Sequence, residues 1–224
     1  MVGKRVYLVL LENYFMERFL IADDHEIFLY ALKQILLRSF PDAQIESVQN
    51  AEELLKKVME QEWDVVITDI SMPGRSGLEI LHQIRQSFPK LPVLVLSMHP
   101  EELYAVRVIK AGGSGYLKKD IPPHEFINAI NRVLMGKKYI TASIAEQLAY
   151  SVEHDSKNNP HTNLSNREFE IAKLLASGIS LTEISGKLSL GITTVSTYRS
   201  RIMKKLNLKT NAELTLYAIE HKIL

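Results

Sequence analysis

Five short apolar runs alternate with longer amphipathic segments between Phe19 and Met135, and this alternation constrains the fold most strongly. Short apolar runs bounded by turn residues are typical of strands buried on both faces, and a period near 3.6 predicts helices. The predicted strands are 19–22, 45–48, 65–68, 93–97 and 115–117, and the predicted helices are 26–38, 51–61, 77–88, 101–111 and 123–135. We therefore predict an α/β domain over residues 18–135 with a flavodoxin-like, doubly wound, five-stranded parallel sheet of order 2-1-3-4-5.

Polar side chains stand at the predicted carboxyl ends of these strands. Asp23 and Asp24 follow the first strand, Asp69 the third and Lys119 the fifth, while Ser97 closes the fourth. In open parallel sheets the ligand crevice lies outside the carboxyl ends of the strands, and in this order the first strand lies beside the third. We therefore expect the three carboxylates to converge.

Three converging carboxylates require a proton or a cation among them. Mg²⁺ binds carboxylates, carbonyls and water, so it meets this requirement. Lys119 and the Ser97 hydroxyl would then reach the oxygens of an anion joined to Asp69, which predicts a phosphoryl group. Each residue also has a structural alternative when taken singly: Asp23 and Asp24 as helix caps, Ser97 as a turn residue, and Lys119 as a solvated charge.

Residues 164–224 differ in charge from the front of the chain. They hold nine Lys and Arg against five Asp and Glu, whereas residues 1–135 hold 15 against 18. A basic segment behind an acidic one suggests nucleic acid as a partner. Between them, residues 136–163 predict a linker with a short helix at 143–150 and a mobile polar tether at 154–163.

Four helices are predicted after this linker. Ser165 and Glu168 form a capping box for a helix that runs to Ser177. Further helices are predicted at 181–188, 193–206 and 211–221. Two helices joined by a tight turn, the second long and basic at its end, indicate a helix-turn-helix, although a generic helical bundle has the same outline.

The third of these helices has two distinct faces. Val195, Tyr198, Ile202 and Leu206 follow helical spacing and predict the buried side. The other side carries hydroxyl and basic groups and no acidic group, which suits contact with base edges and phosphates in a major groove. The candidate DNA contacts are Thr193, Thr194, Ser196, Thr197, Ser200, Arg201, Lys204 and Lys205.

Residues 19–135 resemble the receiver domain of two-component response regulators. The matching motifs are Asp23-Asp24, Asp69 in Asp-Ile-Ser-Met-Pro-Gly, Ser97 in Val-Leu-Ser-Met-His and Lys119 in Gly-Tyr-Leu-Lys-Lys-Asp. The resemblance implies that Asp69 is the phosphoacceptor and that Lys119, rather than its neighbour, meets the phosphoryl group.

The same resemblance implies a metal site and a switch. Asp23, Asp24 and Asp69 would hold Mg²⁺ together with the backbone carbonyl of Ser71. Ser97 and Tyr116 would form the switch pair, with the hydroxyl moving toward the phosphoryl group while the ring turns inward. His25 and His99 flank this edge, and the sequence assigns no role to either.

Residues 164–224 resemble the LuxR-type four-helix DNA-binding domain of the NarL/FixJ regulators. The motifs are Leu-Ser-Asn-Arg-Glu at 164–168, Ala-Ser-Gly at 176–178, Glu-Ile at 183–184, Thr-Val at 194–195 and Lys-Leu at 205–206. This chain departs from the family at Gly191, Ser196 and Tyr198, where Ser, Lys and His are common. The first change weakens a helix cap, and the second alters the set of residues that read bases, so no target sequence can be carried over.

Together these features predict a DNA-binding transcriptional response regulator. A partner histidine kinase would phosphorylate Asp69, and the protein would then bind double-stranded DNA as a homodimer; it would not be an enzyme beyond slow self-dephosphorylation. One alternative is a Mg²⁺-dependent phosphatase, although Ser71 stands where such enzymes usually carry a second acid. Another is an unphosphorylated DNA binder whose receiver only dimerises.

The chain contains no cysteine, and no apolar run approaches the roughly 20 residues of a membrane span. We therefore expect a cytoplasmic protein with no membrane partner. Residues 1–17 join no clear element of the pattern. We interpret them as an extension without a role in function, with Met16 as the native start.

Overall fold

The structure is a computed structural model that describes residues 16–72, 75, 77–153 and 160–224. Most of the predicted N-terminal extension, residues 1–15, lies outside the described residues, as do Pro73 and Gly74 of the predicted turn and positions 154–159 of the tether. Within the described ranges, no helix combines the length and the apolar character needed to cross a membrane.

The front of the chain forms a five-stranded parallel sheet. The strands are β1 (Arg18–Ala22), β2 (Gln44–Val48), β3 (Val65–Asp69), β4 (Val93–Ser97) and β5 (Gly115–Lys118). Their order is β2-β1-β3-β4-β5, and every neighbouring pair is parallel. The predicted flavodoxin-like sheet is confirmed, and each strand ends within one residue of its prediction.

Five helices cover the two faces of this sheet. They are α1 (Glu26–Ser39), α2 (Ala51–Glu60), α3 (Gly77–Ser87), α4 (Glu101–Lys110) and α5 (Pro123–Leu134). Successive strand residues point to opposite faces. Ile21 of β1 therefore joins the cluster formed with α1 and α5, whereas Leu20 joins the cluster formed with α2, α3 and α4. Asn50 caps α2 by accepting a hydrogen bond from the amide of Glu53.

Two described parts of the linker differ from the prediction. The predicted short helix at 143–150 is longer and forms α6 (Ala142–Glu153). Pro160–Asn163, which we expected in a mobile tether, forms a 3-10 turn. The tether prediction is wrong for these four residues because Arg107 of α4 donates hydrogen bonds to the carbonyls of His161 and Leu164, at 2.6 and 2.9 Å.

The tail forms four helices, α7 (Asn166–Ala176), α8 (Leu181–Leu188), α9 (Ile192–Leu206) and α10 (Asn211–Glu220). The predicted capping box of Ser165 and Glu168 is present, and Ser180 and Glu183 form a second one that the sequence analysis missed. Gly191 caps α9 without a side-chain hydrogen bond, as its lack of a hydroxyl requires. Val195, Ile202 and Leu206 are buried on the predicted side of α9, with Tyr198 partly buried.

Candidate acidic site and nucleic-acid interface

The acidic site lies where β1 and β3 end side by side. Ala22 pairs with Thr68 in the sheet register, so Asp23 and Asp69 leave the sheet at the same edge. Both are buried, with exposures of 1% and 4%. The convergence of these two carboxylates agrees with the sequence-based prediction.

The ammonium group of Lys119 lies between the two buried carboxylates. Its Nζ is 2.5 Å from Oδ2 of Asp23 and 2.9 Å from Oδ2 of Asp69. The same ammonium lies over the ring of Phe28, 4.8 Å from the ring centroid. A single buried cation thus offsets two buried anions.

Burial and charge act against each other at this site. Burial raises the pKa of the Asp69 carboxyl, and the hydrogen bond from Lys119 offsets only part of that effect. Burial would lower the pKa of the Lys119 ammonium, but its hydrogen bonds to Asp23 and Asp69 outweigh burial and raise it. Lys119 is therefore held in its charged form between the two carboxylates.

Four side chains at this edge could hold a metal ion together. The donor atoms of Asp23, Asp24, His25 and Asp69 all lie within 4.8 Å of one another. The three carboxylates supply the oxygen ligands that Mg²⁺ prefers. Nδ1 of His25 lies 3.0 Å from Asp23 and 2.8 Å from Asp24. No role was predicted for His25, although its position directly after the acidic pair made this proximity foreseeable.

The loop after β3 holds Asp69 from the other side. The amide of Ser71 donates a hydrogen bond to Oδ1 of Asp69 at 3.2 Å. Gly77 opens α3 against the backbone after β3, and a Cβ at that position would lie 2.6 Å from Cα of Ile70. The sequence therefore needs glycine there for α3 to begin so close to the acidic site.

Ser97 and Tyr116 both form hydrogen bonds with His99, a residue that the sequence analysis left unassigned. The Ser97 hydroxyl accepts a hydrogen bond from the amide of His99 at 3.2 Å, and the Tyr116 hydroxyl donates one to its carbonyl at 2.8 Å. Tyr116 is fully buried, so its ring is already turned inward in this structure. Burial also raises the pKa of this phenol.

The candidate DNA-binding residues lie together on the exposed side of α9. All eight are exposed, and Ile192–Leu206 contains no Asp or Glu. A shallow depression on this surface is lined by Thr193, Thr194, Thr197, Tyr198 and Arg201.

Lys205 differs from the other candidates. Its Nζ lies 2.6 Å from Oε2 of Glu168 and donates a hydrogen bond to the carbonyl of Asn163 at 3.3 Å. Helical spacing alone could not reveal this partner, because Glu168 belongs to another helix. The remaining basic candidates, Arg201 and Lys204, lie exposed along α9.

Comparison with known families agrees with both halves of the chain. Residues 19–131 match the family described as the response regulator receiver domain. Residues 162–218 match the family described as bacterial regulatory proteins of the luxR family. The fold and the two matches define a DNA-binding response regulator of a two-component system.

Full-length relatives extend this assignment over most of the chain. The oxygen regulatory protein NreC of Staphylococcus carnosus is 37% identical over 216 residues, which cover 92% of this chain and 99% of the relative. This chain belongs to the NarL/FixJ family of response regulators.

Solved structures of RcsB share the architecture. RcsB from Salmonella enterica serovar Typhimurium, bound to promoter rprA in the presence of the phosphomimetic BeF3⁻, has a TM-score of 0.63 and 25% identity; the match covers 90% of this chain and 98% of that one. A structure of two RcsB dimers bound to two parallel DNAs has a TM-score of 0.56 and 27% identity, with coverages of 90% and 97%.

Proposed function

We propose that Asp69 accepts a phosphoryl group from a phosphohistidine of a partner kinase. A carboxylate oxygen of Asp69 attacks phosphorus, the phosphorus–nitrogen bond breaks, and the imidazole leaves with the electron pair and takes a proton from solvent. The observation that carries this proposal is the buried carboxylate of Asp69 held 2.9 Å from the ammonium of Lys119. That ammonium would bind the incoming phosphoryl oxygens while the amide of Ser71 keeps the carboxylate oriented.

The metal in this proposal is Mg²⁺, bound by Asp23, Asp24, Asp69 and the backbone carbonyl of Ser71. When bound, the ion would neutralise charge on the phosphoryl oxygens. The close grouping of the three carboxylates supports this assignment. Lys119 already contacts two buried anions, so an added dianionic group calls for further positive charge.

Ser97 and Tyr116 would carry the change of state outward. The Ser97 hydroxyl would turn toward the phosphoryl group, and its hydrogen bond with the amide of His99 would then be lost. Because the Tyr116 ring is already buried, its contribution would be a change in the hydroxyl contact with His99 rather than an inward turn. Beyond slow loss of its own phosphoryl group, the chain would have no enzymatic activity.

The proposed output is binding of double-stranded DNA by a homodimer. Thr193, Thr194, Ser196, Thr197, Ser200 and Arg201 would face the major groove, with Lys204 and Lys205 toward phosphates. Their shared exposure on one side of α9 supports this proposal, as does the similarity to RcsB dimers on DNA. Action on DNA also implies a location in the cytoplasm.

Phosphopeptide mapping tests the phosphoacceptor directly. The full-length protein is incubated with a small phosphodonor and Mg²⁺ and examined by mass spectrometry, alongside Asp69→Asn and Asp120→Asn. Asp120 is a matched control because its side chain is 67% exposed on the loop after β5. We expect phosphate on Asp69 in the native chain and in Asp120→Asn, and none in Asp69→Asn. Phosphate that persists in Asp69→Asn would refute the proposal, and turnover of a small phosphate ester would favour a phosphatase.

A further inference from the structure

His99 is held at three points by residues of the acidic site. Its amide donates a hydrogen bond to the Ser97 hydroxyl at 3.2 Å, and its carbonyl accepts one from Tyr116 at 2.8 Å. Its ring Nε2 lies 2.9 Å from the hydroxyl of Ser71, whose own amide bonds to Asp69. The backbone and the ring of His99 thus both depend on groups that surround the phosphoacceptor.

The same ring also touches the surface that holds the DNA-binding domain. It stacks on Tyr104 of α4, with ring centroids 4.9 Å apart and planes inclined by 21°. Tyr104 meets Phe169 of α7 edge to face at 5.6 Å, and its hydroxyl lies 3.4 Å from Nζ of Lys173. One side chain, Tyr104, therefore separates His99 from the DNA-binding domain.

Arg107 strengthens this domain contact one turn further along α4. Its guanidinium lies 4.1 Å from the ring centroid of Phe169 and also donates hydrogen bonds to the carbonyls of His161 and Leu164. Tyr104 and Phe169 are both buried, at 7% and 1% exposure. The two domains thus meet through α4 and α7, an arrangement that we call the docked state.

The docked state leaves the DNA-binding surface of α9 uncovered, since all eight candidate contacts are exposed. Docking therefore does not block access of DNA to α9. Its effect must be on the direction in which α9 points. Two copies that read half-sites need their recognition helices about 34–36 Å apart and related by two-fold symmetry. A domain fixed to its own receiver has a fixed direction for α9, and release frees that helix to adopt the spacing.

We propose that His99 couples the phosphorylation state of Asp69 to the release of the DNA-binding domain from α4. This inference rests on the proposed phosphorylation of Asp69. When the Ser97 hydroxyl turns to the phosphoryl group, the amide of His99 loses its acceptor, the His99 ring shifts against Tyr104, and the contact with Phe169 weakens. By linkage, docking also disfavours phosphorylation by the same factor.

The absence of cysteine makes a distance measurement straightforward, because two introduced thiols can be spin-labelled without competition. Gln34 on α1 and Lys187 on α8 are exposed and lie in different domains. In the full-length chain carrying Gln34→Cys and Lys187→Cys, the ratio of separated to docked molecules is read from the distance distribution. Samples are compared at equal occupancy of phosphate on Asp69, measured by mass spectrometry.

Three substitutions in this background isolate the role of the ring. His99→Ala removes the stacking on Tyr104, His99→Phe retains it, and Met98→Ala is a control at the exposed neighbouring position. We expect phosphorylation to raise the separated fraction at least about fivefold in the parent, in Met98→Ala and in His99→Phe, in line with typical coupling between sites. In His99→Ala, phosphorylation should raise the separated fraction less than about twofold, which is below the range of typical coupling between sites.

The outcomes distinguish this inference from the function on which it rests. A full response in His99→Ala, or an unchanged ratio in the parent despite phosphate on Asp69, would overturn the coupling and leave the phosphoacceptor intact. A missing response in Met98→Ala would also overturn it, because the loop rather than the His99 ring would then carry the effect. Absence of phosphate on Asp69 in the parent would overturn the proposed function as well.

Discussion

Replacing Lys119 by Met should destabilise the receiver domain strongly, because it removes the only positive charge that contacts both Asp23 and Asp69 within the described part of the chain. Each carboxylate oxygen lies within 3 Å of Nζ, so the two lie within about 6 Å of each other. At an effective dielectric constant near 20, their uncompensated repulsion is about 3 kcal/mol. Breaking a buried ion pair by removing one partner has a cost of about the same size.

The pH dependence of this loss follows from the pKa of Asp69. Burial already raises that pKa, and loss of the ammonium should raise it further. A carboxyl with a raised pKa binds its proton more tightly in the folded than in the unfolded chain, so folding is favoured as the pH falls. We therefore expect the destabilisation of Lys119→Met to be largest near neutral pH and to shrink on acidification.

Urea unfolding followed by fluorescence measures this effect in one domain, because Trp63 is the single tryptophan and is buried in the receiver. Lys118→Met is the matched control: Lys118 is the preceding residue, and its ammonium forms an exposed pair with Asp120. Surface pairs contribute about 0–1 kcal/mol. Equal unfolding midpoints for Lys119→Met and Lys118→Met would refute the electrostatic account, as would a penalty that grows at low pH.

Arg201→Ala should weaken binding to specific DNA by about 1–3 kcal/mol, and Lys204→Ala should reduce the slope of log affinity against log salt by about one, both measured in a salt titration. Removing Mg²⁺ with a chelator should lower the Trp63 unfolding midpoint in the native chain and less so in Asp24→Asn; equal shifts would argue against Asp24 as a ligand. Burial lowers the pKa of His161 to about 4, so its contribution to stability is present above about pH 6.5 and is lost as the pH falls toward 4. After allowance for its partial exposure, we expect a loss of about 1 kcal/mol between pH 7 and 5 by thermal circular dichroism, and His161→Gln should lack that loss.

The sequence predicted the sheet and its acidic edge well for a physical reason. Strands buried on both faces produce continuous apolar runs, and parallel topology then fixes which strand ends are neighbours. The proximity of Asp23, Asp69 and Lys119 could therefore be predicted from the sequence. The residues of α9 were predictable on the same basis, since helical periodicity separates Val195 and Ile202 from the exposed side.

Contacts between domains could not be predicted in this way. Arg107 binds carbonyls that lie 54 and 57 residues further along the chain, and no periodic pattern encodes such pairs. The polar composition of Pro160–Asn163 indicated a tether because it has little apolar surface to bury, yet Arg107 binds the carbonyl of His161 within it and that of Leu164 directly after it. His99 was passed over because its importance lies in its partners rather than in its residue type.

The DNA affinity of the phosphorylated chain tests whether Asp69 controls DNA binding. DNA fragments selected from a random library by the phosphorylated protein are titrated with Asp120→Asn and Asp69→Asn, each with and without phosphodonor and Mg²⁺. We expect the phosphodonor to increase the affinity of Asp120→Asn at least about fivefold and to leave Asp69→Asn unchanged. An equal increase in Asp69→Asn, or no increase in Asp120→Asn bearing phosphate on Asp69, would contradict the central claim that this carboxylate controls DNA binding.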